Sequence, residues 1–150
     1  MGKVRLQEEA FSPGVELDRF TASSQGVGAI VSFTGVMRST MEDPVTAMFI
    51  EHYAELAMSA IEEFVAAASQ RFAVTDLRVI HRYGHILPNE PIMLVIASAR
   101  HRAEAFAAAE YLMDWLKTDA PFWKNESRPE GSSWVAPREA DDAARNRWNE

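Results

Sequence analysis

Apolar residues along this chain recur with the period of a helix in two segments. From 54 to 71 they return every three or four positions, which predicts an amphipathic helix. The same spacing predicts a second helix from about 100 to 117, with Ser98 as its N-cap. The predicted core-facing residues are Leu56, Ala60, Ile61, Phe64, Val65 and Ala68 in the first helix, and Ala105, Phe106, Ala109, Leu112, Met113 and Leu116 in the second.

The remaining apolar segments have the composition of strands. Residues 26–36 predict a buried strand, and further strands are predicted at 45–53, 76–83 and 92–97. Shorter pieces complete the pattern: an edge strand at Val4 and Leu6, a helix at 15–22, extended segments at 122–124 and 134–135, and a charged, fraying helix at 140–150. The order β-β-α-β-β-α-β, with short links between strands, predicts an α+β fold with a largely antiparallel sheet.

Composition narrows the class of protein. The 150 residues, 47% hydrophobic, predict one soluble domain over 1–150. A net charge of -7 argues against a nucleic-acid or anionic-membrane binder. No apolar run is long enough to span a bilayer, and the N-terminal residues lack the apolar segment of a secretory signal. A cytoplasmic protein is therefore expected.

The absence of cysteine restricts the chemistry further. Disulfides, thiolate metal sites and cysteine nucleophiles are excluded, so any sulfur must arrive on another molecule. His81 and His85 are four residues apart, but their segment is predicted to be strand and turn, where this spacing does not form a helical metal site. No metal and no cofactor are expected.

Candidate chemistry centres on two lysines. Twelve of the fifteen basic residues are arginine, yet Lys117 and Lys124 flank a Pro-Phe-Trp turn. Lysine can lose its proton when burial or neighbouring charge lowers its pKa, whereas arginine stays charged. Two interpretations stay open at this point: reactive groups, or solvated surface lysines.

The predicted start of the second helix carries cations where the helix dipole favours anions. Arg100, His101 and Arg102 are explained either by ion pairs with acidic residues or by an anion-binding site. Arg38, in the loop after a predicted strand, is a further anion-binding candidate, with a surface arginine as the alternative. Strand alternation places Phe122 and Lys124 on one face, and Trp123 on the other.

Several segments together resemble the large, catalytic subunit of molybdopterin synthase. They are Phe33-Thr34-Gly35-Val36-Met37-Arg38, Ile50-Glu51-His52-Tyr53, Val79-Ile80-His81-Arg82-Tyr83-Gly84, Ser98-Ala99-Arg100-His101-Arg102 and the run from Tyr111 to Glu126, with Lys117-Thr118-Asp119-Ala120-Pro121-Phe122-Trp123-Lys124 the most specific part. Glu130-Gly131 and Trp134-Val135 also fit, so the resemblance covers about 26–138.

The resemblance implies an α/β-hammerhead fold with a small β subdomain, and a homodimer at the centre of a heterotetramer. A small ubiquitin-like sulfur-carrier subunit with a C-terminal Gly-Gly thiocarboxylate would bind at each end. Two sulfur transfers would convert the substrate, cyclic pyranopterin monophosphate, into the molybdopterin dithiolene.

The resemblance also implies roles for individual residues. Lys117 would lie beside the carrier's C-terminus, with Lys124 as the second active-site lysine. His101 and Arg102 would contact the pterin substrate, and Arg138 would reach the pocket across the dimer. The implied substrate-binding set is Val36, Met37, Arg38, His101, Arg102, Lys117, Lys124, Asn125, Glu126 and Arg138.

The chain departs from the family pattern in one loop. Many members have Gly-Lys-Val-Arg, whereas here Val36 and Met37 precede Arg38, so one cation is missing. Asn125 also stands where a basic residue is common. Two alternative functions therefore stay open: a non-catalytic binding module for a ubiquitin-like carrier, and a phosphate-ester hydrolase that uses the same cationic pocket.

Overall fold

The computed structural model describes residues 3–135 and 138–149 as a mixed α+β fold. Its elements in chain order are β1 (Val4–Gln7), α1 (Pro13–Ser23), β2 (Ala29–Val36), β3 (Ala47–His52), α2 (Ala54–Arg71), β4 (Val74–Arg82), β5 (Gly84–Ile86), β6 (Pro91–Ala99), α3 (Arg102–Thr118), β7 (Phe122–Arg128), β8 (Gly131–Val135) and α4 (Glu139–Asn146), with a 3-10 turn over Arg147–Asn149. The predicted fold class is confirmed, with the strands divided between two sheets.

The first sheet has the strand order β1-β4-β6-β2. Strand β6 pairs antiparallel with β2 and β4, and β1 pairs parallel with β4 at the edge, as predicted for Val4 and Leu6. The prediction of a buried strand at 26–36 is wrong, because β2 is the other edge and leaves Phe33 and Val36 40% and 50% exposed. The buried strand is β6, which has a neighbour on both sides.

The second sheet has the order β5-β3-β7-β8 and is antiparallel throughout. It corresponds to the small β subdomain that the resemblance implies. Strand β5 has only three residues and was not predicted, and β7 extends past 124 to Arg128. Met48, Ile50 and Ile86 of this sheet belong to the same buried cluster as residues of the first sheet.

The two long helices pack against the sheets. Helix α2 has the predicted bounds, but Leu56 is 57% exposed and Ala57 takes its place in the core. In α3, Phe106 is 59% exposed, whereas Ala108 and Tyr111 are buried. The predicted N-cap is also wrong, since Ser98 is a buried residue of β6 and the N-cap is His101. Among the described residues, no helix combines the length and hydropathy needed to cross a membrane.

The predicted C-terminal helix is anchored rather than frayed over the described residues, and Glu150 lies outside them. Nε1 of Trp148 donates to Oδ2 of Asp114 at 2.6 Å, and Nη1 of Arg71 donates to the Trp148 carbonyl at 2.6 Å. The Trp148 ring meets the rings of Phe72 and Tyr111 edge-on, with centroids 5.7 and 5.5 Å apart. These contacts fix α4 against α3, close to the lysines.

Candidate functional site

A cationic cavity lies where β7, the end of α3 and the start of α4 converge. Its volume is about 260 Å³. Four basic residues line it: Arg38 from the loop after β2, Lys117 from the last turn of α3, Lys124 from β7 and Arg138 at the start of α4. The structure therefore brings the two lysines of the Pro-Phe-Trp segment and the loop arginine to one place.

Strand geometry sets which residues of β7 face this cavity. Phe122, Lys124 and Glu126 line it, whereas Trp123, between two of them, is 47% exposed on the opposite face. The predicted alternation is thus confirmed. Asn125 follows the same rule and lies with Trp123, so the structure does not bring it to the cavity.

Lys124, one of the two lysines in the cavity, has a lowered pKa. Burial, followed by the charge of Lys117, lowers its pKa to about 8. Asp141 and Glu126 act in the opposite direction but do not cancel these effects. An amine with this pKa exchanges a proton close to neutral pH. Glu126 lies on the same face of β7 as Lys124, but its observed ion-pair partner is Arg128.

Glu126 is held by an arginine of its own strand. Nη2 of Arg128 donates to Oε2 of Glu126 at 2.7 Å, and the same guanidinium binds both carboxylate oxygens of Asp43 at 2.9 and 3.2 Å. Because Arg128 pairs with Glu126, this carboxylate offsets less of the positive charge of the four basic residues that line the cavity. Asp141 is the other acidic residue in the wall, 3.8 Å from Nε of Arg138. This balance suits an anionic ligand.

His81, on β4, lines the cavity although only 2% of its surface is exposed. Its ring stacks on Phe122, and Nδ1 is 2.7 Å from the backbone oxygen of Arg82. Burial, then the charge of Lys124, lowers its pKa to about 3, so the imidazole is neutral at physiological pH. His81 is not in the predicted set of site residues, because its spacing from His85 suggested only a metal pair, which a strand and turn do not form.

The two residues before Arg38 have different positions. Val36, the position at which the resemblance implies a lysine in many family members, is half exposed and lines the cavity. Met37 is fully buried in the core, and its backbone N–H and C=O bond to Glu90 and Asn89 of the turn before β6. The structure therefore does not offer Met37 to a ligand, although it belongs to the predicted substrate-binding set.

His101 and Arg102 lie in a separate hollow with Gly28, Arg100 and Ala103. Helix α3 begins at Arg102 with His101 as N-cap, so Arg100 precedes the helix and is not in its first turn. Among the described residues, none of the three basic side chains Arg100, His101 and Arg102 forms an ion pair, which favours the anion-site interpretation over the ion-pair one. Within one chain the pair does not join the lysine cavity, whereas Arg138 does.

The described residues do not provide a set of ligands for a metal ion. The part of the chain that the structure describes contains no group of three or more His, Cys, Asp or Glu side chains able to hold a metal ion. The polar side chains of the cavity are two amines, two guanidiniums, two carboxylates, one hydroxyl and one neutral imidazole.

Comparisons with known proteins show which family this chain belongs to. The family model described as "MoaE protein" matches residues 6–119, which include Arg38, His81 and Lys117. The chain belongs to the MoaE protein family. The molybdopterin synthase catalytic subunit of Cereibacter sphaeroides is 49% identical over 146 residues, which cover 97% of this chain and 99% of that protein.

Solved structures of MoaE relatives have the same fold. The molybdopterin biosynthesis MoaE protein from Burkholderia ambifaria superposes with a TM-score of 0.83 and is 40% identical, covering 100% of this chain and 99% of that one. Molybdopterin synthase from Staphylococcus aureus gives a TM-score of 0.82 at 25% identity, covering 91% of this chain and 98% of that one. The predicted family membership is therefore confirmed.

Proposed function

We propose that this chain is the catalytic subunit of a molybdopterin synthase, and that the lysine cavity is its sulfur-transfer site. The substrate would be cyclic pyranopterin monophosphate. Sulfur would come from the C-terminal thiocarboxylate of a small ubiquitin-like carrier, and the product would carry the dithiolene of molybdopterin. The observation that carries the proposal is the convergence of Lys117 and Lys124 in one cationic cavity of a MoaE family chain.

The charges of the cavity match what this reaction requires. The substrate brings a phosphate and the carrier brings a thiocarboxylate, so two anions must meet in one place. Arg38, Lys117, Lys124 and Arg138 lower the cost of that approach. The chain has no cysteine, which agrees with a sulfur supplied by a partner.

Each lysine has a role that its environment supports. Lys117 is exposed at the end of α3, where the carrier's C-terminus would be able to reach it, and would neutralise charge that develops on the acyl group. Lys124 is half-buried deeper in the cavity and, as an ammonium, would hold the anionic substrate or donate a proton. At each transfer the carrier's sulfur forms a bond to a side-chain carbon of the substrate, and the C–O bond at that carbon breaks, its oxygen leaving with the bonding electrons and taking up a proton. Water then hydrolyses the bond between that sulfur and the carrier's acyl group. The carrier leaves as a carboxylate.

The proposed assembly is a homodimer with one carrier at each end. His101 and Arg102 form a hollow of their own, so the lysine cavity of one chain supplies Arg38 and the two lysines to the substrate, but not this pair. The hollow would contribute its contacts to the substrate in the assembled dimer. A cytoplasmic location and the absence of a bound cofactor belong to the same proposal.

A reconstitution tests the proposal. Wild-type protein, thiocarboxylated carrier and cyclic pyranopterin monophosphate are mixed, and the product is measured as the fluorescence of oxidised molybdopterin. We expect product with wild type and a loss of roughly a hundredfold or more with Lys117→Ala. Lys3→Ala is the matched control, because Lys3 lies on the surface, 3.6 Å from Asp76 and outside the cavity lining.

The half-exposed Val36 favours one alternative, the non-catalytic binding module, because a family cation is missing from the cavity wall. That alternative predicts carrier binding without product from wild type. Val36→Lys would then restore turnover. Product from wild type would contradict it.

A further inference from the structure

His81 is a buried polar side chain in the wall of the cavity, and nothing in the proposed sulfur-transfer steps uses it. It lies near the end of β4, where 2% of its surface remains exposed. A polar group in such a position is costly unless its hydrogen bonds are made. The environment of each ring nitrogen therefore indicates what the side chain does.

One ring nitrogen is committed to the protein. Nδ1 lies 2.7 Å from the backbone oxygen of Arg82, and a carbonyl oxygen only accepts hydrogen bonds. Nδ1 must therefore carry the proton. In the neutral ring, Nε2 then has a lone pair and acts as an acceptor. Among the described residues, Nε2 has no hydrogen-bond partner.

The ring is also fixed in orientation. It lies parallel to Phe122, with centroids 3.9 Å apart, and Phe122 in turn stacks against His52 at 6.5 Å. Tilting the imidazole would disrupt this stack, and a half-turn of the ring that keeps it in the stack would break the bond between Nδ1 and the Arg82 oxygen. The tautomer and the direction of the lone pair are thus set before any ligand binds.

The other side-chain acceptors of the wall are of a different kind: the carboxylates of Glu126 and Asp141 are charged, and the Thr118 hydroxyl is already used as a donor. Arg38, Lys117, Lys124 and Arg138 carry only donors. The Glu126 carboxylate is bound by Arg128 at 2.7 Å, and Asp141 lies beside Arg138. The Thr118 hydroxyl donates to the Asp114 carbonyl at 2.9 Å.

We infer that Nε2 of His81 accepts a hydrogen bond from an N–H group of the reduced pterin ring of the substrate, and thereby orients that ring beside the two lysines. The inference rests on the proposed function and adds a specificity-determining contact to it. A cavity built of cations recognises phosphate and thiocarboxylate but does not recognise a heterocycle. A neutral acceptor supplies that recognition, because a pterin ring carries N–H donors on its edge.

His81 is suited to accept a hydrogen bond but not a proton. Its depressed pKa means that the imidazolium is not populated at neutral pH, and an imidazolium would have no acceptor left. His81 therefore binds the substrate and is not a general base.

Two substitutions separate the two ring nitrogens. In His81→Asn, the amide occupies the position of Nδ1, keeping the bond to Arg82 and losing the Nε2 acceptor. In His81→Gln, the longer side chain places its amide oxygen near the position of Nε2. For the pterin substrate in the reconstituted reaction, we expect KM to rise about tenfold in His81→Asn, with kcat within about threefold of wild type. We expect His81→Gln to stay within about threefold of wild type in both constants.

Other results would overturn the inference. An unchanged KM in His81→Asn, equal losses in both variants, or a fall in kcat without a change in KM would each do so. If His81→Asn does not fold, equilibrium binding of the substrate to His81→Phe replaces it, because phenylalanine keeps the stack and lacks the acceptor. The same tenfold loss is expected there, and unchanged binding contradicts the inference. If wild type makes no product, the proposed function itself fails and the inference fails with it, whereas an active wild type with equal variants rejects only His81.

Discussion

The imidazole of His81 lies flat against the phenyl ring of Phe122, with an interplanar angle of 7° and 3.9 Å between centroids. The row of rings continues through His52 to Tyr83, whose centroids are 3.7 Å apart. This row joins β4, the end of β3 and β7, and so connects the first sheet to the second beside the lysines. The position of Lys124, two residues after Phe122, depends on it.

The buried state of His81 predicts a loss of stability in acid. Its pKa is about 3 in the folded chain and 6.5 when exposed, so below pH 6.5 the unfolded chain takes up a proton that the folded chain does not. Stability therefore falls as pH falls from 6.5 towards 3. The expected loss is about 2 kcal/mol between pH 6.5 and 5.

Denaturant unfolding at several pH values measures this effect. His81→Gln removes the titrating group, so its stability is expected to change by about 2 kcal/mol less than that of wild type over the same range. His85→Gln is the control, because His85 is exposed, and it should keep the wild-type dependence. An equal acid dependence in wild type and His81→Gln would show that His81 is not the group responsible.

The depressed pKa of Lys124 predicts a fall in turnover above about pH 8. The proposed roles need the ammonium form, and this form is lost as pH rises through the pKa of about 8. Lys124→Arg separates those roles, since arginine keeps its charge but does not donate a proton. A charge clamp predicts an active variant without the alkaline fall, whereas proton donation predicts a variant impaired at every pH. A wild-type rate that rises through pH 8 would contradict both.

The bond between Arg128 and Glu126 predicts that a residue outside the cavity lining tunes Lys124. Arg128→Gln frees the Glu126 carboxylate, which then stabilises the Lys124 ammonium more strongly and raises its pKa. The alkaline midpoint of the rate profile should therefore move to higher pH. Arg19→Gln removes an arginine from another ion pair, with Glu16, and should leave the midpoint in place. A downward shift in Arg128→Gln would contradict this account.

The anchored C-terminal helix predicts that Trp148 supports both stability and the cavity. Trp148→Ala removes its bond to Asp114 and its contacts with Phe72 and Tyr111, at an expected cost of about 2–3 kcal/mol. Arg138 and Asp141 should lose their fixed positions, so KM should rise as well. Trp134→Ala is the matched control, because Trp134 is 59% exposed, and it should cost less than about 1 kcal/mol. Equal stability losses in the two variants would argue against anchoring through Trp148.

Local sequence patterns predicted an element correctly where its periodicity alone determines which residues face the core. The bounds of α2 and the alternation of Phe122, Trp123 and Lys124 needed only periodicity. The buried character assigned to 26–36 failed because apolar composition does not reveal which strand lies at the edge of a sheet. Strand β5 is too short to leave a periodic pattern.

The candidate site was only partly accessible from the sequence. The scarcity of lysine identified Lys117 and Lys124, the loop after a predicted strand identified Arg38, and the family resemblance added Arg138; the structure brings all four together. The acceptor role of His81 depends on a stack between β4 and β7 and on the bond to a neighbouring carbonyl. The sequence contained one signal for it, a histidine that directly follows the apolar pair Val79 and Ile80 in a predicted strand.

The most direct test of the central claim counts sulfur transferred by the wild-type protein. Thiocarboxylated carrier and cyclic pyranopterin monophosphate are mixed with the chain, and the carrier thiocarboxylate consumed is compared with the molybdopterin formed. The account predicts two thiocarboxylates consumed for each molybdopterin. Carrier that binds and keeps its thiocarboxylate, with no molybdopterin formed, would contradict it.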